Sequence, residues 1–407
     1  MQREVLSKYN ILTLGVLLYV FVITVVSSTG NVIVKVARVI LVTCFLCFLL
    51  GKHPKTKTAA SKTYFVWQIG FVLICALSYF WSVSRPNTIA TIPTVAYVTF
   101  ANLIILYAFR QQNIYRALLN TIIVGAILHS LLIYGRHGLL AYMSTRGNSN
   151  LENANTLAFI TSFGMIFSCM LLQGCRESVK PWYYVTSIAC FIFAILTGSK
   201  KIFIFIGIFF LLYYIFNSDN IIKNILNIII CVLLILITYV AFTKIDVLYN
   251  LVGMRIETMI SGLAGGETDS STSFRLDLIQ WGLSWASERP ALGYGLDCFK
   301  YLLGTTYPNL WTGVEGVYAH NNYVEILVNL GVVGLVAYYW FYLFVLYRDI
   351  RYFKNDRLKH TFSLAIIVAL AVAECGQVSY FNPFLQLTIL ITYILSMSDR
   401  NAGQTIG

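Results

Sequence analysis

Apolar runs alternate with short polar breaks along almost the whole chain. A helix that crosses a bilayer needs about 20 apolar residues in a row. Runs of that kind occupy residues 8–28, 32–50, 64–82, 88–109, 117–135, 156–175, 182–198, 202–216, 225–243, 322–347, 361–379 and 383–397. The run 202–216 is short enough to begin inside the preceding Ser-Lys-Lys, and only the weak break "CGQVSYFNP" divides the last two. The pattern predicts an all-α polytopic membrane protein with about twelve transmembrane helices. No small-residue cleavage site follows the first run, which is therefore expected to be a retained span.

One connection departs from the short breaks. Residues 244–321 form a single long polar segment, and ordered connections of that length usually carry function. The chain is accordingly expected to divide into N-terminal transmembrane helices (1–243), a large, partly helical extracytoplasmic loop (244–321) and C-terminal transmembrane helices (322–407). Within the loop, "LDLIQWGLSWASE" (276–288) has helical periodicity, with Leu276, Ile279, Trp281, Leu283 and Trp285 on a broad apolar side. "ERPALGYG" (288–295) reads as a turn and "GLAGGETDSSTS" (262–273) as a flexible lead-in.

Composition supports the membrane assignment: 58% of the residues are hydrophobic and 11% charged. The net charge of +12 raises nucleic acid as a partner. The distribution argues against it, because Lys and Arg gather in the short loops 51–62, 110–116, 176–180 and 348–360, as the positive-inside rule places cytoplasmic loops. Both termini are then cytoplasmic. The nine cysteines form no framework, since most lie within apolar runs, where free Cys behaves as a small hydrophobe. Cys44 and Cys47 have redox-motif spacing but fall inside a span.

The basic residues that defy this bias are the informative ones. Arg146, Lys200, Lys201, Arg255 and Arg275 all fall on the extracytoplasmic side. Read alone, each is first a solvated loop charge or a lipid-headgroup contact. Together they would attract a polyanion such as a diphosphate at the lipid interface. Lys35 and Arg38, inside the second run, are read as snorkelling side chains. His320 stands just before a run rich in lipid-compatible residues, with Asn321 and Asn322 beside it and Glu325 one helical turn on. A neutral imidazole there suits a general base, although a lone loop His is more often polar surface. Gly331 and Gly334 would permit close packing of the helix that follows. Glu325 is read as favouring that helix's dipole. His53, His129, His137 and His360 are scattered, so no metal site and no cofactor are expected.

Arg275, Trp281, the Pro290–Gly293–Gly295 turn, His320–Asn321 and Gly331 occur in an order that resembles the signature of the O-antigen ligase and polymerase family. That family includes lipopolysaccharide O-antigen ligases and Wzy-type polysaccharide polymerases. "NANTLAF" (153–159) and "GSKK" (198–201) are similar to two further family segments, with Lys200 where many members carry Arg. Lysine keeps the charge but loses the bidentate fork. Ile279 stands where ligases often have Leu, which tilts the reading towards a polymerase.

The resemblance implies a metal-independent inverting glycosyltransferase. Its donor would be an oligosaccharide on undecaprenyl diphosphate, and its second substrate an acceptor glycan, at the outer face of the bacterial cytoplasmic membrane. Arg275 would grip the diphosphate, with Lys200, Arg255 and Arg146 as further binding residues and Asn321 as a polar contact. His320 would take the acceptor's proton. Flippase and chain-length regulator proteins are implied partners. Two other readings remain: a ligase that moves finished glycan to lipid A core or another acceptor, and a transporter. Carriers usually show related halves and ionisable groups near the membrane midplane; here the halves look unrelated.

Overall fold

The computed structural model describes residues 11–25, 59–111, 114–138, 154–217, 220–245, 270–308 and 317–397, with a few single positions between 249 and 261. The predicted span 32–50, with Lys35, Arg38, Cys44 and Cys47, lies outside the described residues. The described residues form helices, with no strand among them. In chain order these are α1 (Ile11–Val25), α2 (Ala59–Leu77), α3 (Arg85–Gln111), α4 (Tyr115–His137), α5 (Ala154–Gln173), α6 (Lys180–Leu196) and α7 (Lys200–Phe216). There follow α8 (Ile221–Lys244), α9 (Ser270–Glu288), α10 (Phe299–Thr306), α11 (Asn322–Arg351), α12 (Arg357–Ala373) and α13 (Pro383–Met397).

Among the described residues six segments, those of α2 to α6 and of α11, are long and apolar enough to cross a membrane, while α1, α7 and α13 are apolar but shorter. The chain is a multi-pass helical membrane protein. The predicted run 202–216 does start inside the Lys pair, because α7 begins at Lys200. The predicted run 361–379 ends early: α12 stops at Ala373.

α11 is the organising element. It packs against α2, α9, α12 and α13. Its seam with α2 is aromatic: the Trp67 ring stacks on Phe341 with centroids 4.0 Å apart and planes 4° apart. The same indole Nε1 donates to the Tyr338 carbonyl at 2.9 Å, which satisfies its one donor in an apolar setting.

α9 begins at Ser270, so residues 270–273 are helical and not part of a lead-in; 262–269 lie outside the described residues. Its buried line also differs from the predicted apolar side. Leu278, Trp285 and Ala286 are buried, whereas Leu276 and Leu283 are exposed. The helix is apolar on two sides, so periodicity alone could not say which side faces inward. The inward choice is set by Gly282, where any Cβ would collide with Val324 of α11. Around that contact Leu278, Trp285, Tyr294, Phe299, Leu303, Ala319, Val324 and Val328 make a second core, separate from that of the bundle.

Gly331 breaks α11. Its φ of 65° and ψ of −165° are non-helical, and the Ala291 carbonyl lies where a Cβ would stand. The break leaves backbone groups that must find partners away from water. Residues 290–295 supply them. Val332 and Val333 N–H donate to the Pro290 and Ala291 carbonyls at 2.8 and 3.2 Å. The Val328 and Asn329 carbonyls in turn accept from Tyr294 and Gly295 N–H at 2.9 and 2.8 Å. The helix thus exchanges two of its own hydrogen bonds for four with the turn. This corrects the view of 322–347 as an unbroken helix whose glycines serve helix-on-helix packing.

Candidate functional site

The site is built on the strap 317–321, which enters α11. Asn321, extended at φ −145° and ψ 117°, is the N-cap. Its Oδ1 accepts from Tyr323 and Val324 N–H at 3.0 and 3.1 Å, satisfying two of the donors a helix start leaves open. Asn322 turns the other way. Its Nδ2 donates to Tyr339 Oη at 2.9 Å and its Oδ1 accepts from Ser379 N–H at 3.0 Å. Tyr339 and Tyr342 donate to the two oxygens of buried Glu374 at 2.7 and 2.6 Å, and Ser379 Oγ donates to the same carboxyl. The Glu374 carbonyl also accepts Asn322 N–H at 2.8 Å. This knot at residues 374–379 was not legible as a site feature, because its sequence looked like a weak break between two apolar runs.

Between those anchors His320 adopts a left-handed backbone, φ 53°, a conformation in which His is enriched among non-glycine residues. Its ring is half-buried and lies 4.3 Å from that of Tyr318. Burial pushes the imidazole below its ordinary value, to about 4, and the charges of Arg275 and then Lys201 push it the same way. The imidazole is therefore neutral at pH 7.

Arg275, on the first turns of α9, is half-buried and has no carboxylate partner among the described residues. Its charge bears on His320, Tyr318 and Lys201. Lys201 sits in the first turn of α7, and its Nζ donates to the Gly376 carbonyl, beside the knot. The α6–α7 hairpin is fixed from a further side, where Ser199 Oγ donates to Asn155 Oδ1 at 2.7 Å. The segments "NANTLAF" and "GSKK" thus meet in space.

Of the sequence-predicted residues, His320 and Arg275 are brought together. Asn321 stands beside them with its oxygen engaged as the cap. Arg146 and Arg255 lie outside the described residues, as does the Lys200 side chain. Lys201, singled out only as half of a cationic pair, bears on His320 together with Arg275. No three of His, Cys, Asp or Glu among the described residues come together as metal ligands.

The arrangement offers a neutral imidazole, a guanidinium without a carboxylate partner among the described residues and an ammonium at one end of a membrane bundle. Such a set can hold an anion and accept a proton next to it. Residues 185–339 match the family model described as O-antigen ligase, a stretch that takes in Lys201, Arg275, His320 and Gly331. No curated protein matches the chain.

Proposed function

The chain is a member of the O-antigen ligase and polymerase family, and on that premise we propose that it is a bacterial surface-polysaccharide polymerase. It would work at the outer face of the cytoplasmic membrane, with an oligosaccharide on undecaprenyl diphosphate as donor and a second glycan as acceptor. The observation that carries this reading is the convergence of Arg275 and Lys201 on His320, with Arg275 lacking a carboxylate partner among the described residues.

In the proposed step His320 removes the proton from an acceptor hydroxyl. The oxygen attacks the anomeric carbon, the bond from that carbon to the diphosphate oxygen breaks, and one displacement inverts the centre. The electron pair leaves with undecaprenyl diphosphate. Arg275, with its bidentate fork, and Lys201 stabilise the charge that develops there; Lys200, Arg255 and Arg146 are further candidates for holding the donor. The cations also set the timing. Without an anion, burial first and then these cations hold the imidazole at about 4, a weak base. A bound diphosphate offsets their charge, so the base strengthens when the donor is in place.

The test is the length of glycan on carrier lipid in a deletion strain. Single repeat units alone on the carrier support a polymerase. Long chains that accumulate on the carrier and fail to reach their final acceptor would instead make the protein a ligase.

A further inference from the structure

The strap that carries His320 is tied to a carboxylate within α11 that the proposed reaction does not use. Glu325 is 1% exposed. Its Oε2 accepts from Ala319 N–H at 2.7 Å, the residue immediately before His320. Its Oε1 accepts from Asn329 Nδ2 at 2.9 Å, one helical turn on. The Asn329 Oδ1 accepts from Phe299 N–H at 2.9 Å, at the start of α10. The Asn329 carbonyl is also one of the two that the Gly331 break hands to the 290–295 turn.

This geometry does more than favour a helix dipole. It joins the backbone of the strap, the broken turn of α11 and the start of α10 through two side chains. It also requires a group with two acceptor oxygens at 325. A glutamine there serves only one of the two N–H donors and sets its own N–H against the other, which buried polar groups tolerate poorly.

We propose that Glu325 and Asn329 are a positioning pair that fixes His320 through the Ala319 amide and couples it to the turn bracing Gly331. This rests on the reading of His320 as the base. The pair touches no reacting atom. It acts by holding the imidazole where an acceptor hydroxyl can reach it, and a displacement of about 1 Å at such a site can cost on the order of 10²-fold in rate.

The test uses the full-length protein in vesicles with lipid-linked oligosaccharide extracted from membranes of the deletion strain. E325Q is expected to lower kcat by about 10²-fold while the donor KM stays within about twofold. N329D, which sets two carboxylates against each other, falls at least as far. In E325Q/N329D the polarity reverses: the amide at 325 donates to the carboxylate at 329, whose second oxygen still accepts from Phe299 N–H. The double variant is therefore expected to recover to within about tenfold of wild type.

Rates are compared per folded enzyme, counted by thermal melting in detergent. Wild-type kcat in E325Q, a double variant no better than the single ones, or losses fully explained by unfolded protein would each overturn the pairing. If E325Q does not fold, N329A, which removes the side chain that links Glu325 to Phe299 N–H, carries the same comparison. A lower kcat at constant KM supports the pairing and wild-type kcat overturns it. Full activity in His320→Ala would instead defeat the reading of the base itself, whatever the pair does.

Discussion

Two histidines mark the two ends of α11, and they show how surroundings separate a candidate base from a packing residue. His360 is buried, and its Nδ1 lies 2.8 Å from Asp349 Oδ1, near the end of α11. A carboxylate claims it. His320, at the start of the helix, has Arg275 and Lys201 as its charged neighbours and an aromatic ring on one side. One imidazole has an acidic partner and the other has cations that want an anion. Residue type alone would rank them equally.

The comparison can be broken most sharply by truncating each histidine. His320→Ala is expected to lose about 10²- to 10⁴-fold in glycan transfer, with the melting temperature close to wild type. His360→Ala should do the reverse. It leaves Asp349 buried without its partner, costs about 1–3 kcal/mol of stability, and keeps the turnover of the folded fraction. Activity per folded molecule and thermal melting in detergent separate the two. If both variants lose activity alike, the contrast drawn between the two ends is wrong.

Next in size is Arg275. Arg275→Gln should lower kcat/KM by about 10²-fold, and Arg275→Lys by less, because the charge survives without the fork. Steady-state rates against donor concentration check both. Gly331→Ala follows. It forces a side chain into a left-handed position already filled by the Ala291 carbonyl, so a loss of about 1–3 kcal/mol is expected, read as a lower melting temperature. The smallest effect is on pH dependence. The acid limb of kcat/KM reports the free enzyme and should fall near pH 4, where His320 gains its proton. Removing the Arg275 charge relieves the cationic imidazolium, raises that value and moves the limb to higher pH. A limb unmoved in Arg275→Gln would argue that the two groups do not interact.

Much of this was legible in the sequence for a physical reason: lipid forces backbone groups into helices, so long apolar runs announce them. From α2 onward the described helices fall on the predicted runs, with ends shifted by a few residues, except α9 and α10 within the long segment 244–321. The motif residues were legible as a set, but their work was not. Gly331 and Pro290–Gly293–Gly295 looked like two separate glycine features. They are one device, in which a broken helix and a turn exchange backbone hydrogen bonds. Glu325 looked like a charge at a helix start, yet it reaches back to the Ala319 amide. Glu374 lay within the predicted apolar run 361–379, which gave it no role. Such links join residues far apart in the chain or reverse direction within a turn, and periodicity carries no signal for either. The buried face of α9 was legible only in part: Ile279, Trp281 and Trp285 join its core, but Leu276 and Leu283, as apolar as Leu278, are exposed.

The most direct measurement is single-turnover transfer by purified protein in vesicles, wild type against His320→Ala, with extracted lipid-linked oligosaccharide and product read by mass. The account predicts that both bind the donor alike, and that only wild type joins donor to acceptor and releases the carrier diphosphate. Equal product from His320→Ala at equal folded concentration would contradict it.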